Sequence, residues 1–472
     1  MRVNRVVASL VVLSLALAAG CGGGGGNIVV GGGNTPVSLT ITDTPPAGVT
    51  VLSFQVTVAG AVLNPNNVSL VSAPIKVEIK HLETEAAYLS TVNVPAATYN
   101  SITINLANPE LTILNTGAPI TAFGQTCGTG QVCEFKPNVA GNVTISSNPP
   151  FPLVISGNSP TGLQVDVNLN NVISTALGLD FTTAGAVTVT QLPAPGQPAG
   201  QLAEIEDLIG VVANKDAANN QFTLQTTQGN FTVKVDNTTQ FEEFDKAGCS
   251  ANNFTCVTNG QVVEADLRLL AAGTFLAKEI EFEDPALDDE LEGVIFSVTS
   301  FTQFKMVVVE ELRDVVGVSV GNPITVNLQV GTSFRVDTDG LTVPSGLQSA
   351  FEGATDTSQL LAGQEVQIRV RSLSAGPPIT VSTDRVRLRK SRFTATVAGA
   401  PFGSFFNVSN LPSLFTSAGV TQIQVQTSAK TSFEGVAGVG GLADGNVASV
   451  RGLLFKSTPN PVLIADKVRK RS

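Results

Sequence analysis

Apolar and polar residues alternate in short runs along most of the chain, and the 3.6-residue spacing of long amphipathic helices is scarce. Between 36 and 190 the runs VSLTIT, FQVTVAGAVL, IKVEIKHL, SITINL and QVDVNLNNVI each put their apolar residues on one face. That pattern predicts strands covered on one side, as in a β-sandwich. It breaks at 191–201, QLPAPGQPAGQ, where Pro and Gly leave neither period and a semi-rigid linker is expected.

After the linker, four blocks recur three times in one order. A first strand reads LIGVVANKDAANNQFTLQT, LEGVIFSVTSFTQFKMVVV and FTATVAGAPFGSFFNVS. Next come FTVKVDNTTQFE, ITVNLQVGTSFR and IQVQTSAKTSFE, which carry the phrases TQFE (239–242), TSFR (332–335) and TSFE (431–434). A turn glycine (Gly260, Gly363, Gly445) opens another strand, and a closing strand ends near Ile280, Val386 and Val468. Four blocks in one order predict three related units, at 202–287, 288–390 and 391–472. Each has some five strands, enough to close a small OB-like or SH3-like β-barrel with its own core. Phe241, Phe334 and Phe433 are expected as equivalent core residues, with the phrase threonine bonding the backbone at a barrel corner. The predicted class is all-β: a sandwich followed by three barrels.

Composition agrees: 43% apolar, 14% charged, 45 Gly and 25 Pro suit short strands joined by tight turns. The first residues are different in kind. Arg2 and Arg5 precede an apolar run from Val6 to Leu17, too short to span a bilayer, which ends in LAAGC at 17–21. This resembles the lipobox of bacterial lipoproteins, with Ala18 where leucine is usual. The resemblance implies a signal peptide over 1–20 and lipidation of Cys21 as the first mature residue, so that acyl chains hold the protein to a membrane. A plain secretory signal that discards Cys21 is the alternative. The glycine tract of 21–35 is then a flexible tether of roughly 20 Å mean reach. Gly22 stands where an aspartate would favour inner-membrane retention, which by the same resemblance favours the outer membrane or cell surface.

Cys127 and Cys133, and Cys249 and Cys256, form two close pairs. In an extracytoplasmic chain these read as two local disulfides, each worth roughly 2–3 kcal/mol by the chain-entropy argument. A four-cysteine zinc site would need CxxC-like spacing, which neither pair has.

VSLTITDTPPAGVTVLSFQVTVAGAVL (37–63) resembles the opening of a domain-of-unknown-function family of bacterial and archaeal surface lipoproteins, whose start reads Thr-Asp-Ala-Pro; here Thr44 replaces the alanine. VPAATYNSITINL (94–106) is similar to that family's middle strand. The three later units resemble a second such family, of small barrels in exported bacterial proteins. Neither resemblance brings catalytic residues, and no cofactor is expected.

The chemistry available is limited. The single histidine, His81, sits beside Glu83 and Glu85 and reads as a solvated surface residue, with no nucleophile or second base nearby. RVDTDG (335–340) reads as a turn, since Leu341 and the lack of a closing glutamate depart from a calcium loop. Residues 201–300 carry 18 acidic and 5 basic side chains, and Glu279, Glu281 and Glu283 alternate with Ile280 and Phe282. This predicts a solvated outer face, with a calcium site as the alternative. Residues 379–472 carry 12 basic and 4 acidic side chains. Arg385, Arg387 and Arg389 share a strand face, and Arg369 and Arg371 repeat the pattern on a neighbour. That stripe is a candidate site for anionic polymers, although few aromatics are present for base stacking, which argues against nucleic acid. The competing account is that the acidic first barrel and the basic last barrel attract each other, or that the charges simply keep strands soluble and edges unpaired.

The sequence therefore predicts a lipid-anchored envelope protein, without catalytic activity, that binds an envelope or extracellular ligand or plays a structural part. The alternatives are a carbohydrate-active or metal-dependent enzyme using the acidic residues of the first barrel, and a binder of anionic polymers through the basic last barrel.

Overall fold

The computed structural model describes residues 34–44, 50–156, 161–192, 204–226, 229–269, 274–283, 290–311, 315–338 and 340–471. Cys21, the signal segment, the glycine tract up to 33 and most of the 191–201 linker lie outside the described residues. What is described is almost all β.

The first unit is a two-sheet sandwich. One sheet has the order Val187–Leu192, Thr161–Asn168, Asn34–Thr44, Ala87–Pro95, with Asn34–Thr44 parallel to Thr161–Asn168. The other is built on the long antiparallel pair Thr50–Asn64 and Ser101–Leu114, flanked by shorter strands. The inward residues of both, among them Leu39, Phe54, Ile104 and Val165, make one continuous core. The first strand already begins at Asn34, so the tether ends earlier than the composition implied. Cys127–Cys133 is a disulfide inside this unit.

Three five-stranded barrels follow. In the first (Glu204–Asp216, Gln221–Thr226, Gly229–Lys234, Val262–Leu269, Thr274–Glu283), strands one to three form a meander, and strand four pairs with strand one. Strand five is antiparallel to strand four and closes the barrel by running parallel to strand three. The second barrel (Glu290–Ser300, Gln303–Glu311, Pro323–Val336, Glu365–Ser374, then Ile379 onward) has the same order and the same parallel closure. So does the third, ending in Val447–Phe455 and Val462–Lys470. This is the strand order of an OB-like barrel.

The repeated phrase has one place in all three. Phe241, Phe334 and Phe433 stand opposite Ile280, Val386 and Val468 on the closing strand. The hydroxyls of Thr239, Thr332 and Thr431 donate to the carbonyls of Ala277, Thr383 and Ala465, at 2.7, 3.1 and 2.7 Å. Thr239 and Thr431 also accept from backbone N–H groups of their own turns, Asp236 and Ser428. Each threonine thus pins a turn to the closing strand. Phe334 is fully buried as expected, whereas Phe241 and Phe433 are half-buried at the core margin.

The turn glycines are equally regular. Gly260, Gly363 and Gly445 have φ of +92°, +93° and +81°, a region open to glycine, and each N–H donates to strand one of its barrel (Val212, Ile295, Val397). The amide side chain that follows (Gln261, Gln364, Asn446) accepts an N–H three residues back and closes the turn.

One expectation about boundaries is corrected. A division at 390/391 falls inside a single strand, Ile379–Phe402, which closes the second barrel and then opens the third. The alternation of VRLRKSRFTATV has no turn residue to interrupt it, so the two barrels are joined by continuous backbone. The Cys249–Cys256 disulfide lies in the first barrel, in the insertion between Gln240–Glu242 and Val262–Leu269.

The glycine turns differ in what surrounds them. A Cβ on Gly260 would meet nothing within 4 Å, whereas one on Gly363 would come within 2.0 Å of a Phe415 ring carbon. Gly260→Ala should therefore cost about 1–2 kcal/mol of backbone strain, and Gly363→Ala distinctly more. Denaturant unfolding of the two variants checks the order, and equal losses would contradict it.

Candidate functional site: the ion-pair junction between units

The shared strand Ile379–Phe402 presents Val386 and Leu388 to the core of the second barrel, which turns Arg385, Arg387 and Arg389 outward. The outward face is not open. Arg387 donates to Glu281 and Glu243 of the first barrel, both at 2.7 Å. Arg389 donates to Glu264 of the first barrel at 2.8 Å, to Glu292 at 3.1 Å and to Asp337. Arg385 pairs with Glu290, and Lys390 lies 3.8 Å from Asp266. Arg387 and Arg389 are 7% and 6% exposed. The candidate anion-binding stripe is thus corrected: its centre is consumed inside the protein. Arg369 and Arg371, nearer the surface, are both bonded to Asp384.

The predicted solvated acidic face is corrected by the same contacts. Ile280 and Phe282 do face the core of the first barrel, but Glu279 and Glu281 on the opposite face are buried, at 8% and 4%, and Glu281 is bonded to Arg387 of the second barrel. Alternation identifies the outside of a barrel, and a neighbouring barrel covers that outside here. Burial and the adjacent Glu281 push Glu283 up to about 7. Burial works against the charge on Arg387, yet Glu281 and Asp337 carry it above the ordinary guanidinium value. Asp337, in the stretch read as a turn, is one of these partners.

Further along the same strand a second group of charges meets the sandwich. The short 3₁₀ turn Lys80–Leu82 and the residues after it reach into the junction. Glu85 is bonded to Arg392 and, at 2.7 Å, to Arg451, a fully buried arginine that also binds Asp466. Glu83 accepts from the Thr394 hydroxyl at 2.6 Å, and Arg392 donates to the His81 carbonyl at 3.0 Å. Arg471 donates to the backbone carbonyls of Asp43 and Glu83. Burial would raise Asp466, but Arg451 holds it well below the carboxylate range. Burial pushes Asp43 up to about 8, with Lys80 and Arg471 opposing the rise.

His81 belongs to this junction, so its reading as a solvated surface residue is also corrected. Its Nδ1 lies 3.4 Å from Glu365 of the second barrel, beside a cleft of about 880 Å³ between the sandwich and the first two barrels. Burial, and then the nearby Arg392, lower its pKa to about 4. A neutral imidazole with so low a pKa is a weak base near neutrality, and the carboxylates around it, Glu85 and Glu365, face Arg392. Among the described residues no group of three or more His, Cys, Asp or Glu is placed to hold a metal ion. The arrangement fixes domain positions.

Apolar contacts reinforce it. Tyr88 of the sandwich enters the core of the first barrel, edge-on to Phe231 and Phe275 with ring centroids 5.1 and 5.5 Å away, while its hydroxyl donates to Thr91. Leu52 and Leu114 of the sandwich pack with Val307, Ala362 and Leu414 of the later barrels. Sequence reasoning missed Arg451 and Tyr88. The available signal for Arg451 was an arginine in the middle of an otherwise uncharged strand, VASVRGLLF.

The lowered pKa of His81 has a defined consequence. Between 6.5 and about 4 the unfolded chain takes up a proton that the folded chain refuses, so His81 makes stability fall as pH falls through that window. His81→Gln should remove this part of the acid sensitivity, and the melting temperatures of variant and parent should converge or cross as pH is lowered from 7 towards 4. A gap that stays constant across that range would contradict the buried, neutral histidine.

Two family models match the chain. Residues 34–194 match a domain of unknown function (DUF4382), and residues 209–281, within the first barrel, match a second (DUF5666). No curated protein matches. Among solved structures, the chain is similar to Drosophila Unr CSD456 at 12% identity and a TM-score of 0.12, over 57% of this chain and 98% of that one. It is also similar to a multidomain protein with nucleic acid binding domains from Streptococcus pneumoniae TIGR4, at 11% identity and a TM-score of 0.12, over 57% and 73%. At that TM-score neither likeness carries an inference about this chain.

Proposed function

We propose that this is an extracytoplasmic envelope protein, held to a membrane through acylated Cys21, whose sandwich and three barrels form a non-catalytic body with a binding or structural part. The observation that carries the non-catalytic reading is the state of the first barrel's carboxylates. Glu243, Glu264 and Glu281, which an acid–base or metal-dependent enzyme would use, are bonded to Arg387 and Arg389. Two carboxylates flanking a substrate need room between them, and an arginine occupies that room here. The two disulfides support an oxidising compartment. The shared placement of the Thr-x-Phe phrase, the turn glycine and the following amide supports descent of the three barrels from one unit.

The anchor is tested by intact mass and membrane partitioning of the natively expressed chain beside a Cys21→Ser version. The expected result is acyl mass on the parent and release of the variant from the membrane. A parent that is soluble and cleaved, like the variant, would overturn the anchored reading.

A further inference from the structure

We propose that a cleft between the second and third barrels binds an acidic oligosaccharide, with Lys305 and Lys456 as its cationic contacts. The inference adds a ligand class to the binding role above, and it holds whether or not Cys21 is acylated.

The cleft measures about 790 Å³, within the range of sites that enclose a ligand of a few rings. Its floor is the first hairpin of the second barrel, through Phe296, Val298 and Lys305. One wall is the stretch 417–422 of the third barrel; the other is the loop 456–461 that joins that barrel's last two strands. Thr116 and Gly130 of the sandwich close one end.

The charge of the cleft lining is opposite in sign to that of the chain as a whole. The chain has 38 acidic against 27 basic residues, yet among the described residues no aspartate or glutamate lines the cleft and two lysines do. Lys76, Lys80, Lys136 and Lys246 each have a carboxylate within ion-pair distance. Among the described residues, Lys305 and Lys456 form no such pair, as is also true of Lys215, Lys234, Lys430 and Lys470; what marks these two is that they share one cleft. The Lys456 ammonium lies 3.5 Å from the Leu360 carbonyl, and the solvent-exposed Asp356 feels its charge only through space. Two cations with no carboxylate within ion-pair distance, in an acidic protein, make a local positive field that draws anions.

The remaining lining defines the class of anion. The hydroxyls of Ser297, Thr421 and Ser457 and the Asn460–Gln422 amide pair offer donors and acceptors, while Phe296, Val298 and Pro459 offer apolar surface for ring faces. Val298 is 38% exposed, an apolar side chain left open at the floor. Sugars need this mixture of hydroxyl partners and flat apolar surface, and the lysines supply point charges for carboxylate substituents. Nucleic acid fits less well, because among the described residues the lining holds a single aromatic side chain, Phe296, and successive bases need several to stack on.

The test is calorimetric titration of the full chain, as the Cys21→Ser protein, with tetragalacturonate, neutral maltotetraose and a short single-stranded oligonucleotide. Tetragalacturonate should bind, weaken with added salt, and lose about tenfold in affinity in Lys305→Gln and again in Lys456→Gln. Lys234→Gln, an exposed lysine of the first barrel, should change nothing. Melting temperatures of all variants are measured alongside, so that a loss of binding is separated from a loss of folding; Lys456 is exposed and Lys305 half-buried. Absence of tetragalacturonate binding, equal binding of maltotetraose, or affinity unmoved in both lysine variants overturns the proposal; tighter binding of the oligonucleotide replaces it with a nucleic-acid site. The mass and partitioning experiment reads the anchor separately, so the two readings fail independently.

Discussion

The placement of the four units depends on buried guanidinium groups satisfied by carboxylates from other units. Along one strand, Ile379–Phe402, the outward positions carry Arg385, Arg387, Arg389, Lys390 and Arg392. The first barrel supplies Glu243, Glu264 and Glu281 to this row, and the sandwich supplies Glu85. Charges out of water are costly unless fully paired, and removing one member of such a pair costs about 3–5 kcal/mol because its partner is left buried and uncompensated. The strand therefore favours only arrangements that bring these carboxylates to it. Because the same strand belongs to both the second and third barrels, one row of cations fixes the first barrel and the sandwich against a continuous backbone.

Apolar contacts at the junction are fewer and work alongside this. Tyr88 seals into the first barrel, and the small Leu52–Leu114–Leu414 cluster lies between the sandwich and the later barrels. Apolar burial is non-directional, so it holds surfaces together without setting their register. The ion pairs, with fixed donor and acceptor positions, supply the register. The barrel surface also carries neutral polar pairs, such as Gln303 and Asn327, whose side chains bond each other across neighbouring strands.

Much of the fold was legible because its signals are local. Strand alternation, the Thr-x-Phe phrase and the Gly-Gln or Gly-Asn turn each report short-range geometry, and the threonine and glycine contacts fall where the repeated blocks place them. The two disulfides followed from cysteine spacing in the same way. The junction was not legible because alternation separates the inside of a barrel from its outside and is silent on what covers the outside. Glu281 and Arg387 were each correctly assigned to an outer strand face, and both were wrongly taken to meet solvent. The opposing charge of residues 201–300 and 379–472 did carry a signal, but the cations that meet the first barrel, Arg387 and Arg389, lie on the strand that closes the second barrel and not in the last barrel, where the attraction was expected. His81 gave no comparable signal, since its burial arises from the second barrel's Glu365, nearly 300 positions away in sequence.

The most direct test of the central role of the arginine row is calorimetric unfolding of Arg389→Ala beside Arg371→Ala, whose side chain pairs only near the surface with Asp384. The account predicts that Arg389→Ala lowers the melting temperature and splits off an early transition as the first barrel comes loose, while Arg371→Ala stays close to the parent. A single transition in Arg389→Ala at the parental temperature would mean that apolar contacts alone hold the units in place, and the account would be wrong.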